Sequence, residues 1–282
     1  MPPPLDSARP RSSVEAVRRV LAAVVFVPIF YVLVHDLGPL AFFGLVAVAG
    51  MLAVGEFYRL YLKEAPWTWW SWLGVAATGL FLGSAQWPTL TTDRTVLLGT
   101  VAMALCMPLL SAKPLRDALT DGMVLMMGVL YIGLPLSYLV STRGLPDGAL
   151  LIFFVVLVTW AGDTGAYVVG KSVGRHALAP VISPKKTYEG LAGGLVLACL
   201  MALVARAWFL PTFSLVDCLM LGVILTMAGL VGDLAESAVK RSGGFKDSGA
   251  LIPGHGGMLD RLDSLLFTGP AFYYYVTIVN HA

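Results

Sequence analysis

The sequence predicts an all-α integral membrane protein that crosses the bilayer about nine times. Three observations carry this prediction. The chain is 57% apolar and only 13% charged, whereas a soluble domain has about 25% charged residues. Its apolar residues fall into long runs, and a transmembrane helix requires about 20 apolar residues. Its basic residues are concentrated on alternate connections between these runs, as the positive-inside rule requires.

Nine apolar runs are candidate spans. They cover residues 17–36, 39–58, 67–86, 95–112, 121–141, 148–170, 188–210, 214–236 and 261–280. The run 95–112 is the weakest, because it ends near Pro108 and proline disfavours a helix interior. With a cytoplasmic N-terminus, all of the 19 Lys and Arg residues except Arg94, Arg143 and Arg206 fall on the cytoplasmic side. A missing or additional helix would scramble this asymmetry, so the charges support nine spans and a C-terminus on the opposite side.

Polarity divides the chain into a tail and one membrane domain. Residues 1–13 are rich in Pro, Ser and Arg and are predicted to be a disordered tail. Residues 14–282 are predicted to form a single transmembrane catalytic domain. Within it, the half 14–145 is expected to supply mainly scaffold, lipid and dimer contacts, and the half 146–282 to carry the chemistry at the cytoplasmic side.

Charged residues within or beside the apolar runs are candidates for function. Asp163 lies inside the sixth run, where an ionised carboxylate is costly unless it is paired, so it is a functional candidate by default. The alternative is a structural hydrogen bond to a neighbouring helix. The same run has three glycines that allow close helix packing, namely Gly162, Gly165 and Gly170. In the first half, Glu56 and Arg59 most simply form an exposed i, i+3 pair, with a share in the site as the alternative.

The stretch from Asp233 to Ser264 is polar and densely charged, although long apolar runs flank it. Residues 242–257 hold six glycines and Pro253, too many breakers for one continuous helix. On either side, polar residues recur at helical spacing: Asp233, Glu236, Ser237 and Lys240, then Asp260, Asp263 and Ser264. Two acidic helix ends joined by a basic, glycine-rich loop suit a divalent cation together with a polyphosphate. Carboxylates hold Mg²⁺, while backbone amides and basic side chains hold phosphate.

This stretch resembles the signature of the phosphatidate cytidylyltransferase (CDP-diacylglycerol synthase) family. The matching positions are Ser237, Lys240-Arg241, Lys246-Asp247, Gly249, Ile252-Pro253, His255-Gly256-Gly257, Asp260-Arg261 and Asp263. Two earlier runs, Asp163-Thr-Gly-Ala-Tyr167 and Ser183-Pro-Lys-Lys-Thr-Tyr-Glu-Gly190, are also similar to sequences of this family. No signature position departs from the pattern.

The resemblance implies that CTP and phosphatidic acid react to give CDP-diacylglycerol and pyrophosphate. The residues fit this reaction independently. A lipid phosphate monoester has a second pKa of about 6, so it is already largely dianionic and needs no strong general base. The obstacle is to bring that anion to the α-phosphorus of a highly charged nucleotide, which is a problem of charge and positioning. Bound metal ions reduce the charge repulsion.

The aspartates are predicted to be ligands of a metal ion. Asp233 and Asp260 are the expected catalytic metal ligands, with Asp263 and Asp163 as further candidates. Mg²⁺ is the expected cation, since hard oxygen ligands and a phosphate substrate favour it. The resemblance leaves room for a second cation, Mg²⁺ or K⁺.

The basic and hydroxyl residues beside the aspartates are predicted to bind the phosphate groups of the substrates. The set comprises Ser237, Lys240, Arg241, Lys246, Arg261, Lys185 and Lys186. Lys240 and His255 are counted as catalytic, and His255 stays open between a phosphate donor, a proton donor and a loop-fixing hydrogen bond. Lys185 and Lys186 could instead merely satisfy the positive-inside rule. Ser183 and Pro184 could open a short helix as its N-cap and first residue.

Two other classes of protein remain open. A CTP-dependent lipid or polyprenol kinase would use similar groups but transfer the γ-phosphoryl group. A cation-coupled transporter also uses intramembrane aspartates, but it should place them near the bilayer midplane. The expected partners are CTP, phosphatidic acid and the lipid bilayer, with no nucleic acid, and the resemblance leaves a homodimer open. The expected location is a bacterial plasma (inner) membrane.

Overall fold

The computed structural model describes residues 27–62, 68–245, 248–249 and 257–279. Most of these residues are helical, so the predicted all-α class is confirmed. In chain order the helices are α1 Val27–Asp36, α2 Gly38–Tyr61, α3 Trp69–Gln86, α4 Asp93–Leu110, α5 Leu115–Arg143, α6 Gly148–Val173, α7 Tyr188–Trp208, α8 Leu215–Ser242 and α9 Leu259–Tyr274. Helix α5 contains a π-helical turn, Val129–Gly133, and α9 continues into another, Tyr275–Val279.

Six of the described helices are long and apolar enough to cross a membrane, namely α2, α4, α5, α6, α7 and α8. The chain is therefore a multi-pass membrane protein. Each predicted run coincides with a helix, the first only in part, because residues 1–26, including the tail 1–13, lie outside the described residues. Over their described residues the other three helices are too short or not apolar enough to be counted, so the count of nine spans stays a prediction.

Contacts at the two ends of the bundle show that neighbouring helices alternate in direction. At one end the pairs are Tyr61 with Val239, Lys186 with Asp233 and Lys240 with Asp260. At the opposite end the pairs are Arg143 with Val34, Arg206 with Phe213 and Tyr275 with Asp217. We call the first of these ends the site end. Helices α2, α4, α6 and α8 finish there, and α3, α5, α7 and α9 begin there.

Basic residues separate between the two ends. Arg94, Arg143 and Arg206 lie at the end opposite the site end, and every other described Lys and Arg lies at the site end. The helix directions therefore reproduce the separation of charge expected from the sequence. Which side of the membrane the site end faces stays a prediction.

A short antiparallel hairpin links α6 to α7. Its strands are β1 Ala177–Ala179 and β2 Ser183–Thr187. The interpretation of Ser183 and Pro184 as the start of a short helix is wrong, because both residues lie in β2. Helix α7 begins later, since Thr187 Oγ1 accepts a hydrogen bond from the Gly190 amide at 3.1 Å and caps the helix.

Glycines bring α6 into backbone contact with α7. A Cβ placed on Gly165 would lie 2.6 Å from the carbonyl oxygen of Gly193, closer than a real Cβ can approach. A Cβ on Gly193 would in turn overlap the side chain of Val169. The expectation that the glycines of the sixth run allow close helix packing is confirmed. This contact fixes the position of α6, the helix that carries Asp163.

Candidate functional site

Three carboxylates converge at the site end. Asp233 and Glu236 lie on α8, and Asp263 lies in the second turn of α9. One oxygen atom from each of the three lies within 4.8 Å of the others. We call these three residues the carboxylate cluster. Asp233 and Glu236 are three residues apart and share one helix face, and Asp263 meets that face from the antiparallel neighbouring helix.

Close packing of α8 on α9 positions the carboxylate cluster. Gly232 precedes Asp233, and a Cβ at this position would overlap the backbone oxygen of Asp263. The absence of a side chain at Gly232 therefore sets the distance between the two helices where the cluster forms. One turn earlier, Gly229 leaves more room, since a Cβ there would lie 3.6 Å from the side chains of Ser264 and Thr268.

Glu236 is the most deeply buried member of the carboxylate cluster, with 1% of its surface exposed. Its Oε2 atom pairs with Lys240 Nζ at 2.6 Å, whereas its Oε1 atom has no hydrogen-bond partner among the described residues. Crowded carboxylates repel one another unless positive charge offsets them. Three convergent oxygen ligands, one with an unpaired lone-pair atom, fit a hard divalent cation. The cluster can therefore hold a metal ion.

Asp163 adjoins the carboxylate cluster through Ser264. The Ser264 hydroxyl donates a hydrogen bond to Asp163 Oδ2 at 3.3 Å, and the Ser264 amide donates to Asp263 Oδ1 at 2.7 Å. The aspartate within the sixth run thus meets the acidic start of α9, although it is not one of the three closest carboxylates.

Asp260 lies one turn before Asp263 but faces the glycine-rich loop. Its carboxylate accepts hydrogen bonds from Lys240 Nζ at 2.6 Å, the Ser248 hydroxyl at 2.9 Å and the Gly257 amide at 2.7 Å. These donors come from α8 and from both described parts of the loop. Asp260 therefore joins the loop to the bundle, and it lies outside the carboxylate cluster.

Of the residues predicted to bind phosphate, only some contact the carboxylate cluster. Lys186 pairs with Asp233 at 2.7 Å, whereas Lys185 is exposed, because neighbouring side chains on a strand point to opposite faces. The Ser237 hydroxyl donates to Asp233 Oδ1 at 3.3 Å. Arg241 and Arg261 are exposed at the site end. Lys246 and His255 lie outside the described residues.

Glu56 on α2 belongs to the site although the sequence favoured another interpretation. The expectation of an exposed pair with Arg59 is wrong, since only 5% of the Glu56 surface is exposed. Glu56 Oε2 accepts hydrogen bonds from the Leu259 amide at 2.9 Å and from the Ser248 hydroxyl at 3.3 Å. Leu259 is the first residue of α9, whose first amides have no partner within the helix. Glu56 therefore caps α9 from a distant helix and fixes the loop beside it.

We expect Glu56→Ala to lower the stability of the protein. The substitution leaves the Leu259 amide without its acceptor, and an unsatisfied buried donor costs about 1–3 kcal/mol. Glu56→Gln keeps an acceptor oxygen of the same reach and should retain most of that stability. Chemical denaturation of the detergent-solubilised variants measures the difference in unfolding free energy. Equal stability of Glu56→Ala and the wild type would contradict the capping role.

Comparison with known proteins gives a family. The chain matches the model of the Cytidylyltransferase family over residues 17–279. It is 35% identical over 267 residues to the phosphatidate cytidylyltransferase of Bacillus subtilis (strain 168). The aligned region covers 93% of this chain and 96% of that protein. It is 44% identical over 155 residues to the phosphatidate cytidylyltransferase of Staphylococcus saprophyticus, and 43% identical over 157 residues to that of Staphylococcus aureus (strain COL). Each of these two matches covers 55% of this chain and 59% of the relative. Because the family model and the Bacillus relative both match nearly the whole chain, the protein belongs to the Cytidylyltransferase family.

Proposed function

We propose that the protein transfers the cytidylyl group of CTP to phosphatidic acid, giving CDP-diacylglycerol and pyrophosphate. The observation that carries the proposal is the carboxylate cluster, flanked by Lys186 and Lys240, at one end of a membrane-spanning bundle. Membership of the Cytidylyltransferase family supports the same activity. So do the names of the relatives, each a phosphatidate cytidylyltransferase.

The carboxylate cluster is the proposed place for a divalent cation. Asp233, Glu236 and Asp263 would hold it, and their hard oxygen ligands favour Mg²⁺. When bound, the cation reduces the charge repulsion among the phosphates. Asp163 and Asp260 remain candidate ligands, and a second cation, Mg²⁺ or K⁺, remains part of the proposal.

Lys186 and Lys240 are proposed to contact substrate phosphate oxygens. An ammonium group has three donors. Lys186 uses one on Asp233, and Lys240 uses two, on Glu236 and Asp260. Each lysine can therefore bind a phosphate oxygen while it keeps its carboxylate partners. Lys185, Arg241 and Arg261 add positive potential at the same end, which attracts anionic substrates. Ser237, Lys246 and His255 keep the roles assigned from the sequence.

The chemistry requires positioning more than proton transfer. An oxygen of the lipid phosphate forms a bond to the α-phosphorus of CTP, and the bond from that phosphorus to the bridging oxygen of pyrophosphate breaks. The attacking phosphate is already largely dianionic near neutral pH, so no side chain has to act as a strong base. The work of the site is to hold two anions in line and to offset their charge.

The site end is proposed to face the cytoplasm. Nearly all described basic residues lie there, and cytoplasmic connections carry the excess of Lys and Arg. This orientation gives a cytoplasmic N-terminus, a C-terminus on the opposite side and access to CTP. The bacterial relatives support a bacterial plasma membrane. The division into a scaffold half, 14–145, and a catalytic half, 146–282, also stays a proposal, as does a homodimer.

An assay of the purified protein with labelled CTP, phosphatidic acid and Mg²⁺ tests the proposed function. We expect CDP-diacylglycerol and pyrophosphate as products. We also expect excess EDTA to abolish turnover and added Mg²⁺ to restore it. Formation of CDP with a newly phosphorylated lipid would identify a kinase instead. Full activity in excess EDTA would contradict the role given to the carboxylate cluster.

A further inference from the structure

Tyr131 has a buried hydroxyl without a hydrogen-bond partner among the residues that the structure describes. It lies in the π-helical turn Val129–Gly133 of α5, within the half that the sequence assigned mainly to scaffold. Its side chain is 7% exposed, yet its hydroxyl oxygen has no hydrogen-bond partner among the described residues. Buried side-chain polar atoms in native proteins nearly always have a partner. The missing partner therefore requires an explanation.

Contacts place Tyr131 at about the depth of the carboxylate cluster, because its ring packs on Phe57 and, one turn further along α2, the Tyr61 hydroxyl bonds to Val239, six residues after Asp233 on α8. Glu236, Asp263 and Asp233 are the carboxylates whose charges act on the Tyr131 phenol. The Tyr131 ring packs against Phe57, with ring centroids 6.1 Å apart, so the aromatic packing holds the ring in place. None of the three carboxylates accepts its proton, so the hydroxyl can still donate to an acceptor that binds at this depth.

A second tyrosine shows that the bundle can satisfy a buried phenol. Tyr58 on α2 is 0% exposed, and its hydroxyl donates a hydrogen bond to the Leu125 carbonyl oxygen at 2.9 Å. Leu125 lies on α5, the helix that carries Tyr131. Helices α2 and α5 therefore satisfy the Tyr58 hydroxyl and leave the Tyr131 hydroxyl without a partner among the described residues.

Tyr131 also lies in one of the three π-helical turns of the described residues. A π-helical turn interrupts the regular α-helical register, and such turns occur frequently at functional sites. The turn in α5 spans five residues, with Tyr131 at its centre. The turn is a second reason to look for a role of Tyr131 in substrate binding.

We propose that the Tyr131 hydroxyl donates a hydrogen bond to a phosphate oxygen of substrate bound at the carboxylate cluster. The inference rests on the proposed function, in which phosphate groups occupy this place. A phosphate oxygen is an acceptor, and a phenol is a neutral donor that can bind it without adding charge to the cluster. The N-terminal half then contributes a contact to substrate. The phosphate belongs either to the nucleotide or to the lipid, and the experiment below separates the two.

The variant Tyr131→Phe removes the hydroxyl and keeps the ring. We expect kcat/KM to fall about 10- to 100-fold, the range for one lost hydrogen bond to a charged group. The thermal unfolding midpoint should stay unchanged or rise, because the hydroxyl has no hydrogen-bond partner among the described residues. Tyr58→Phe is the matched control. It loses a hydrogen bond to Leu125, so its midpoint should fall while kcat/KM per folded enzyme stays near the wild-type value.

Separate KM values, together with binding of CTP measured by calorimetry without lipid, locate the contact. A weaker affinity for CTP alone assigns the hydroxyl to a nucleotide phosphate, and a raised KM for phosphatidic acid alone assigns it to the lipid phosphate. Wild-type kcat/KM in Tyr131→Phe would overturn the inference, whether or not the midpoint changes. A wild-type protein that makes no CDP-lipid would overturn the proposed function instead, so the two failures are distinguishable.

Discussion

Replacing Asp233 by asparagine is expected to lower turnover by on the order of 10²–10³-fold while the protein stays folded. Asparagine keeps the size of the side chain but loses the negative charge that the proposed cation and Lys186 both use. In the metal-free protein, the loss removes one of three crowded carboxylates, which relieves repulsion. The unfolding midpoint without divalent cation should therefore not fall.

A second measurement separates loss of the cation from loss of structure. A ligand that binds the folded state raises its stability, so Mg²⁺ should raise the unfolding midpoint of the wild type and not that of Asp233→Asn. The matched control is Asp217→Ala, at the opposite end of α8, where Asp217 accepts hydrogen bonds from the Ser214 amide and the Tyr275 hydroxyl. This control should lose about 1 kcal/mol of stability and keep its turnover and its response to Mg²⁺. Near-normal turnover in Asp233→Asn would rule out the metal assignment.

The parts of the fold that the sequence predicts are those governed by local pattern. Apolar runs define the helices because each span must bury its own backbone hydrogen bonds and present apolar side chains to lipid. The spacing of Asp233 and Glu236 predicts a shared helix face, and the breakers that follow predict where α8 ends. The basic residues then predict the direction of each helix, and the contacts at both ends of the bundle agree.

The parts that the sequence leaves unpredicted depend on contacts between distant segments. Glu56 caps α9 across a separation of 203 residues, and its spacing from Arg59 is also that of an ordinary exposed pair. Tyr131 lies in an apolar run, and the spacing of the residues around it does not predict a functional role. Glu236 lies at helical spacing from Asp233, Asp260 lies at helical spacing from Asp263, and both carboxylates pair with Lys240. Only the packing of α8 on α9 shows which of the two carboxylates joins Asp233 and Asp263.

Gly232→Ala is expected to impair the site without removing any of its charged groups. The new Cβ would overlap the backbone oxygen of Asp263, and a backbone atom of a packed helix cannot move aside as a flexible side chain can. Helices α8 and α9 must therefore separate, and Asp233 moves away from Asp263. Overpacking of this kind costs about 1–3 kcal/mol of stability. A displacement of about 1 Å in a catalytic constellation can lower turnover on the order of 10²-fold.

Gly229→Ala is the control that isolates the effect of spacing, because Gly229 lies on the same face of α8 one turn away. A Cβ there would stand 3.6 Å from Ser264 and Thr268, an ordinary contact, and alanine favours the helix by up to about 1 kcal/mol over glycine. This variant should be as stable as the wild type or more so and should keep its turnover. Gly232→Ala should lose both turnover and the rise in unfolding midpoint with Mg²⁺, although every carboxylate is still present. If both variants retain full turnover, the distance between α8 and α9 does not control the carboxylate cluster, and the ligand set proposed for the cation must be assigned to other residues.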